Sequence, residues 1–354
     1  MGNSVREAGN MINTNHPLYL EDLAQAAATI PAEAAHKSVL ITGASGLIGS
    51  FLTDSFLFAN QHSGYGIHVY AMSRNLQRLQ ARFAGHETDG KLTLLARDIL
   101  APLEDDLSFD YIIHLASNAD PKAYAAHPAG TITTNVIGTY HVLEYAKKHP
   151  GCRVFLASTM EVYGTMPPGN ITTEDEFGLI DFNKVRSGYP EGKRTSELML
   201  RGYAEEYGIE GAVGRLGYIY GPTMTETDSK VVAQFIRKAM AREDIVLKSR
   251  GEQRRSYCYI SDAAAGVLTV LFKGETGAYN IANRNSNVTI CGMAKTAAEL
   301  AGTKVIFDLP EADEKKGFSV SQDALLNEDK LLNLGWTPRY TLEDGLKRTI
   351  RILT

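Results

Sequence analysis

Residues 38–49, SVLITGASGLIG, set an apolar run against a turn with glycine at 43, 46 and 49, and the chain continues to position 60 as GLIGSFLTDSFLFAN with the apolar spacing of a helix. A short apolar run bounded by glycine reads as a buried strand. Glycine at such a junction permits a tight turn and close backbone approach, and the following helix points its free N–H groups and positive dipole end at any anion placed there. The text around this stretch alternates in the same way. IHVYAMSR (67–74), LTLLARD (92–98), FDYIIHLAS (109–117), RVFLAST (153–159) and GAVGRLGYIYG (211–221) read as strands, separated by helical stretches such as NLQRLQARF (75–83) and TITTNVIGTYHVLEYAKK (131–148). Regular alternation predicts an α/β chain built on a doubly wound parallel sheet of the Rossmann type.

The expected organisation follows from where this alternation holds. Residues 1–36 precede the first strand and read as an N-terminal arm, with a short helix over Glu21–Ala28 and no assigned chemistry. Residues 37–188 form the dinucleotide-binding domain, to which segments near 211–221 and 255–282 return. Residues 189–354 make most of a smaller C-terminal α/β substrate lobe, containing VVAQFIRKAMA (231–241), GEQRRSYCY (251–259) and GWTPRYTLEDGLKRTIRI (335–352).

Bulk properties narrow the function. The chain has 354 residues, 44% hydrophobic and 22% charged, with a net charge of −5, so it carries no electrostatic footprint for nucleic acid and no basic block for a membrane surface. Cys152, Cys258 and Cys291 are too few and too scattered for a disulfide framework or a metal site, and they suit a reducing cytoplasm. The polar start MGNSVREAGNMINTNHPLYLEDLAQ is unlike a signal peptide, and no run reaches the length of a membrane span. Small molecules and a second copy of the chain are the expected partners; no metal is expected.

The glycine turn, Gly43 with Ser45, Gly46, Leu47, Ile48 and Gly49, is the expected pyrophosphate site of a dinucleotide. At the end of the second strand an acid would favour NAD and a base the 2′-phosphate of NADP. Here the strand ends Ser73-Arg74-Asn75, with Arg78 one turn on, so Arg74 favours NADP; an arginine there also stacks on adenine in either cofactor. Asp98 and Ile99 are placed at the adenine edge, although an Asp there equally caps a turn.

Tyr189 and Lys193 lie four apart in the helical stretch GYPEGKRTSELMLRGYAEEYG (188–208) and so share one face. A lysine cation near a phenol favours the phenolate, which adapts tyrosine to acid/base work on a substrate hydroxyl. About thirty residues earlier RVFLAST ends in Ser158-Thr159-Met160-Glu161, where a hydroxyl at a strand's C-terminal end can bond the reacting oxygen; Thr159 is the first choice and Ser158 the second.

Taken in order, ITGASGLIG, DYIIHLASNADP, the NVIGT of Asn135–Thr139, STMEVYG, YPEGK, YGP at 220–222 and RRSYCYISDAA resemble the extended short-chain dehydrogenase/reductases, of the NAD-dependent epimerase/dehydratase type, over roughly residues 38–350. The resemblance implies that Tyr189 is the acid/base, Lys193 its pKa-lowering and ribose-binding partner, and Thr159 the third catalytic group. It implies NAD as cofactor, with Leu115, Ala116 and Ser117 beside it, and a homodimer built from the helices after NVIGT and around YPEGK. Within the family, HLASNADPKAYAAHP, YPEGKR, GPTM before KVVAQFI, and GEQRRSYCY look most like UDP-glucuronate decarboxylases, in which the residues matching Glu161 and Arg255 take part in decarboxylation. Asn118, Tyr124, Thr159, Met160, Glu161, Tyr218 and Arg255 form the substrate set. Three positions depart: Met160 stands where these decarboxylases carry Ser and the 4,6-dehydratases Asp, Tyr218 replaces an Asn that contacts the diphosphate, and Thr223 replaces a common Arg. A thioether cannot protonate a departing hydroxyl.

The expected activity is that of an NAD(P)-dependent nucleotide-sugar enzyme working through a 4-keto sugar, decarboxylase-like first. The alternatives are 4-epimerisation, 4,6-dehydration and reduction of a keto sugar, and, from another class, a catalytically silent NAD(P)-binding regulator.

Overall fold

Gly217 marks where the chain leaves one sheet for another, because a Cβ there would lie 2.7 Å from the Ser256 carbonyl oxygen, closer than side chains pack. The single strand read over 211–221 is therefore two. A computed structural model describes residues 12–86, 90–104, 106–309 and 323–354. Along the chain run α1 (Pro17–Ala27), β1 (Ser38–Thr42), α2 (Leu47–Ser63), β2 (His68–Ser73), α3 (Leu76–Arg82), β3 (Leu92–Ala96), β4 (Tyr111–His114), α4 (Pro121–Ala126), α5 (Pro128–Lys148) and β5 (Arg153–Thr159). A one-turn helix at Met160–Tyr163 follows, then β6 (Ile171–Thr172), α6 (Gly188–Tyr207), β7 (Gly211–Leu216), β8 (Tyr218–Tyr220), α7 (Val231–Met240), β9 (Ile245–Leu247) and β10 (Arg254–Tyr259). The chain ends with α8 (Ile260–Lys273), β11 (Ala278–Ile281), β12 (Asn287–Thr289), α9 (Ile290–Ala301), β13 (Val305–Phe307), β14 (Leu325–Leu326), α10 (Asp329–Leu332) and α11 (Leu342–Leu353).

The main sheet has seven parallel strands in the order β11-β7-β5-β4-β1-β2-β3. Chain order reverses between β1 and β4, and in a doubly wound sheet the crevice for a ligand opens outside the carboxyl ends of the strands at that reversal. β1 and β4 are buried along almost their whole length, as strands covered on both faces are. Of the segments expected to return to this sheet, 211–216 and 278–281 do so. β8 and β10 instead join β12 in a separate three-stranded sheet, and β9–β13 and β14–β6 pair outside the main sheet. In this way the C-terminal elements gather over one end of the sheet, facing the crevice.

The described part of the N-terminal segment is not a free arm. Pro17 starts α1 four residues before the expected helix, with the His16 ring accepting from the Leu18 N–H at 3.1 Å; proline suits a first helical turn because its missing N–H would have had no partner. Tyr19, Asp22, Leu23 and Ala26 are buried. Tyr19 meets Phe51 of α2 edge to face, its hydroxyl donates to Asp54, and Arg82 of α3 completes that pair. Asp22 accepts from Tyr259 at 2.6 Å and Arg348 at 2.9 Å, while Gln25 donates to Asp262 at 2.6 Å. The helix thus ties α2 and α3 to the last helix of the chain, through groups whose partners lie up to 330 residues away. Residues 1–11 lie outside the described residues.

Tyr19→Ala removes a fully buried ring from this junction and should cost about 3–5 kcal/mol, the usual loss for a large core aromatic. Urea unfolding of the full chain measures it, and an unchanged midpoint would mean that α1 is dispensable.

Candidate active site

The crevice has a volume of about 830 Å³ and runs from the glycine turn to the carboxyl ends of β5 and β7. Its floor is set by Thr42, the last residue of β1. The Thr42 hydroxyl oxygen accepts from the N–H groups of Leu115 and Ala116, both at 3.1 Å, so its own proton goes to His114 Nδ1 at 2.9 Å. His114 is buried, and desolvation with the nearby Lys193 cation pushes its pKa down to about 3, keeping the ring neutral. Gly43 is left-handed at φ +72, and a Cβ on it would stand 3.1 Å from Ala116 N. At Gly49 a Cβ would fall 2.4 Å from the Gly43 carbonyl oxygen. Ser45, Gly46, Leu47 and Ile48 complete the turn, with Gly46 capping α2. This is a cradle that only bare backbone can form, open toward the crevice, and it fits a dinucleotide pyrophosphate.

At the outer end, Ser73 and Arg74 line the crevice with Arg78, and the Ser45 and Ser73 hydroxyls are 3.1 Å apart. Asn75 caps α3, its side chain accepting from Arg78 N at 2.8 Å, and faces an adjoining hollow of about 490 Å³ that Ser45 and Arg78 also line. Asp98 and Ile99 line the crevice, as expected, and Asp98 also accepts from Leu100 N at 3.0 Å, the turn-capping role. Arg97, not singled out from the sequence, lines the same wall and is paired with Glu104. Leu115, Ala116 and Ser117 form the opposite wall, where Ser117 donates to Asn135 at 2.7 Å.

At the inner end Thr159 closes β5 and Tyr189 opens α6. Tyr189 is 8% exposed, stacks on Tyr124 with ring centres 5.1 Å apart, and hydrogen-bonds Thr159. Ser158, the second choice for that hydroxyl, also lines the crevice and donates to the buried Glu197. Lys193 lies one turn along α6 and donates to the Ala157 carbonyl at 2.8 Å. The electrostatics differ from the sequence expectation. Burial and the Glu161 carboxylate push the Tyr189 phenol up, the Thr159 hydrogen bond pulling the other way, while burial lowers Lys193 to about 8 against the pull of Glu197. The Lys193 ammonium is directed at a backbone carbonyl.

The structure brings the expected substrate set to one crevice. Met160, Glu161, Asn118, Tyr124, Tyr218 and Arg255 all line the crevice. Arg255 lies over the Tyr218 ring at 5.4 Å, and Arg254 is held in a pair with Asp323 at 2.8 Å. Glu161 pairs with Arg186 at 3.1 Å, and Arg186 also donates to the Tyr124 hydroxyl at 3.1 Å. Arg186 was missed although it stands three residues before Tyr189, the spacing that brings it back over the same turn. Asp120, also missed, accepts from the Ser229 N–H and hydroxyl, both at 2.8 Å, and so ties the β4 loop to the loop before α7. Thr223 is tied to the Leu47 carbonyl at 2.7 Å, a contact with the cofactor turn.

A family model described as the NAD dependent epimerase/dehydratase family matches residues 39–282. The chain belongs to this family. Among its relatives, UDP-glucuronic acid decarboxylase 6 of Arabidopsis thaliana is 34% identical over 312 residues, 87% of this chain and 86% of that protein. UDP-glucuronic acid decarboxylase 1 of Xenopus tropicalis is 34% identical over 316 residues, 89% of this chain and 71% of that one. In fold the chain matches the UDP-glucose 4-epimerase of Thermotoga maritima solved with UDP-glucose, at a TM-score of 0.73 and 24% identity over 89% of this chain and 98% of that one. It also matches the UDP-glucuronic acid 4-epimerase of Bacillus cereus solved with UDP-glucuronic acid and NAD, at 0.74 and 20% over the same shares. Met160 belongs to a buried apolar cluster against which Tyr218 packs.

Gly49→Ala should reduce cofactor affinity at least about tenfold, since a methyl group at that distance from backbone forces the turn apart. Fluorescence titration with a reduced nicotinamide dinucleotide measures this, and wild-type affinity would remove the turn from the cofactor site.

Proposed function

We propose that this protein is an NAD(P)-dependent enzyme that remodels the sugar of a nucleotide sugar through a 4-keto species, with decarboxylation of a nucleotide-linked uronate as the leading outcome. The observation that carries this reading is the placement of Thr159, Tyr189 and Glu161 around the inner end of a crevice whose outer end is the glycine cradle. A bound nicotinamide supplies hydride acceptance and return there. Tyr189 takes the proton of the reacting sugar hydroxyl, and Thr159 hydrogen-bonds the same oxygen as charge develops on it. Lys193 supports the cofactor ribose. Glu161 and Arg255 stand at the sugar's far side, where a 4-keto group makes the neighbouring carboxylate labile, and Arg186 holds the Glu161 carboxylate in place. Arg255 offers its fork to a diphosphate or carboxylate.

A second reading, reduction of a keto sugar nucleotide, is favoured by Met160, which lies in a buried apolar cluster that the Tyr218 ring packs against, where the resembling decarboxylases and dehydratases carry hydroxyl, acid or amide. It accords with NADP as cofactor. Arg74 and Arg78 line the crevice at the end of β2, residues 73–75 contain no acid for a ribose hydroxyl, and the hollow beside Ser45 and Asn75 gives a 2′-phosphate room. Two copies are proposed to associate through α5 and α6, whose Ile132, Ile137, Tyr140, Leu198 and Tyr207 are exposed. The three unpaired cysteines suit a cytoplasmic setting.

Purified protein incubated with a panel of nucleotide sugars and followed by mass spectrometry separates the outcomes: loss of carbon dioxide, loss of water, gain of two hydrogens, or an unchanged mass with an epimer seen by NMR. No reaction and no binding across the panel would overturn the substrate class. Tyr189→Phe should lower turnover by about 100-fold or more with cofactor binding intact. Arg74→Ala should weaken NADP about tenfold and leave NAD within about twofold, the value of one charge-assisted hydrogen bond; equal losses for both would remove Arg74 from cofactor selection.

A further inference from the structure

We propose that Glu197, clamped by Arg215 and Ser158, is a positioning residue that sets the charge of Lys193 and through it the pH range over which the cofactor binds. The proposal rests on the reading of Lys193 as a cofactor-binding residue.

Glu197 lies four residues after Lys193 on α6, on the same face. Both of its oxygens are held. Arg215 of β7 donates from Nη2 at 2.8 Å and from Nε at 3.2 Å to each oxygen, and Ser158 of β5 adds a third donor. Arg215 is itself fixed, donating to the Tyr163 hydroxyl at 3.0 Å and the Glu174 carbonyl at 2.9 Å; Tyr163 in turn donates to Asn280 at 2.6 Å. Glu197 is 7% exposed, and its pair with Arg215 is mostly desolvated. A buried ion pair adds little net stability over a well-packed apolar pair, so stability alone does not account for one placed a turn from Lys193.

The surroundings of Lys193 give the pair a task. Lys193 is 3% exposed and its ammonium has the Ala157 carbonyl as its hydrogen-bond acceptor. The charged or titratable groups set against it are Glu197 on the same helix and neutral His114 on β4. α5 meets α6 with uncharged groups, Asn135 beside Gly192 and Thr139 bonded to Ser196 at 3.0 Å. Burial draws Lys193 down to about 8, and Glu197 is the anion that opposes it. Without that anion the amine loses its proton nearer neutrality. Because Ser158 precedes Thr159 on β5, the same clamp also fixes the strand end that presents the catalytic hydroxyl.

The test is the pH dependence of reduced-cofactor binding to the full chain, read by fluorescence between about pH 6 and about pH 9, a range spanning the lysine's lowered pKa. Wild-type affinity falls as pH rises through about 8, because binding uses the protonated lysine. Glu197→Gln keeps the shape but drops the charge, and should move that midpoint down by about one unit or more. Glu197→Asp, which keeps the charge, should stay nearer the wild type. Glu197→Gln combined with Arg215→Gln leaves no buried charge unpaired and should shift in the same direction, which keeps the test available if the single variant is unstable. A wild-type midpoint in a folded charge-removed variant overturns the proposal. Lys193→Met is the separate control: it should abolish the pH dependence, and if it leaves that dependence intact, the cofactor reading of Lys193 fails instead.

Discussion

One threonine hydroxyl holds the crevice in register. Thr42 ends β1 beside β4 at the point where chain order reverses, and its oxygen accepts from two successive N–H groups of the β4 loop while its proton goes to His114. These bonds bring Leu115 and Ala116 so close to Gly43 that a Cβ there would touch backbone. The glycine cradle on one side and the Leu115–Ser117 wall on the other are therefore fixed to each other before any ligand arrives. Neutral His114 completes the arrangement, because a protonated ring could not accept the threonine proton.

At the other end of the crevice the design rests on buried charge. Tyr189 and Lys193 both lose solvent, which drives the phenol's pKa up and the amine's down, away from the phenolate–ammonium state. The counterweights are local: Thr159 bonded to the phenol, and Glu197 held near the amine by Arg215. Both lie on or against β5, so the geometry of one strand end governs the proton chemistry of the site. Glu161 acts against this balance by raising the phenol further, and Arg186 offsets its charge.

Met160 and Tyr218 are far apart in sequence and meet on one buried cluster. They line the inner end of the crevice, with Arg255 over the Tyr218 ring. The Tyr218 hydroxyl is the polar edge of that ring, while the Met160 thioether has no proton to give.

Local text carried the strand–turn–helix at 38–60, the alternation that makes the parallel sheet, and the four-residue spacing of Tyr189 and Lys193, because periodicity and glycine chemistry act over a few residues. Thr159, Tyr189 and Lys193, with most of the residues expected beside a cofactor, do line one crevice. Only the tertiary structure decided the rest. The break at Gly217 depends on the Ser256 carbonyl, α1 became core through partners near the C-terminus, and Arg186 and Asp120 joined the site through partners 25 and 109 residues away. The direction of the Tyr189 and Lys193 shifts was likewise beyond the sequence. Spacing places two groups on one helix face, but burial and the orientation of an ammonium toward a carbonyl depend on what packs against that face.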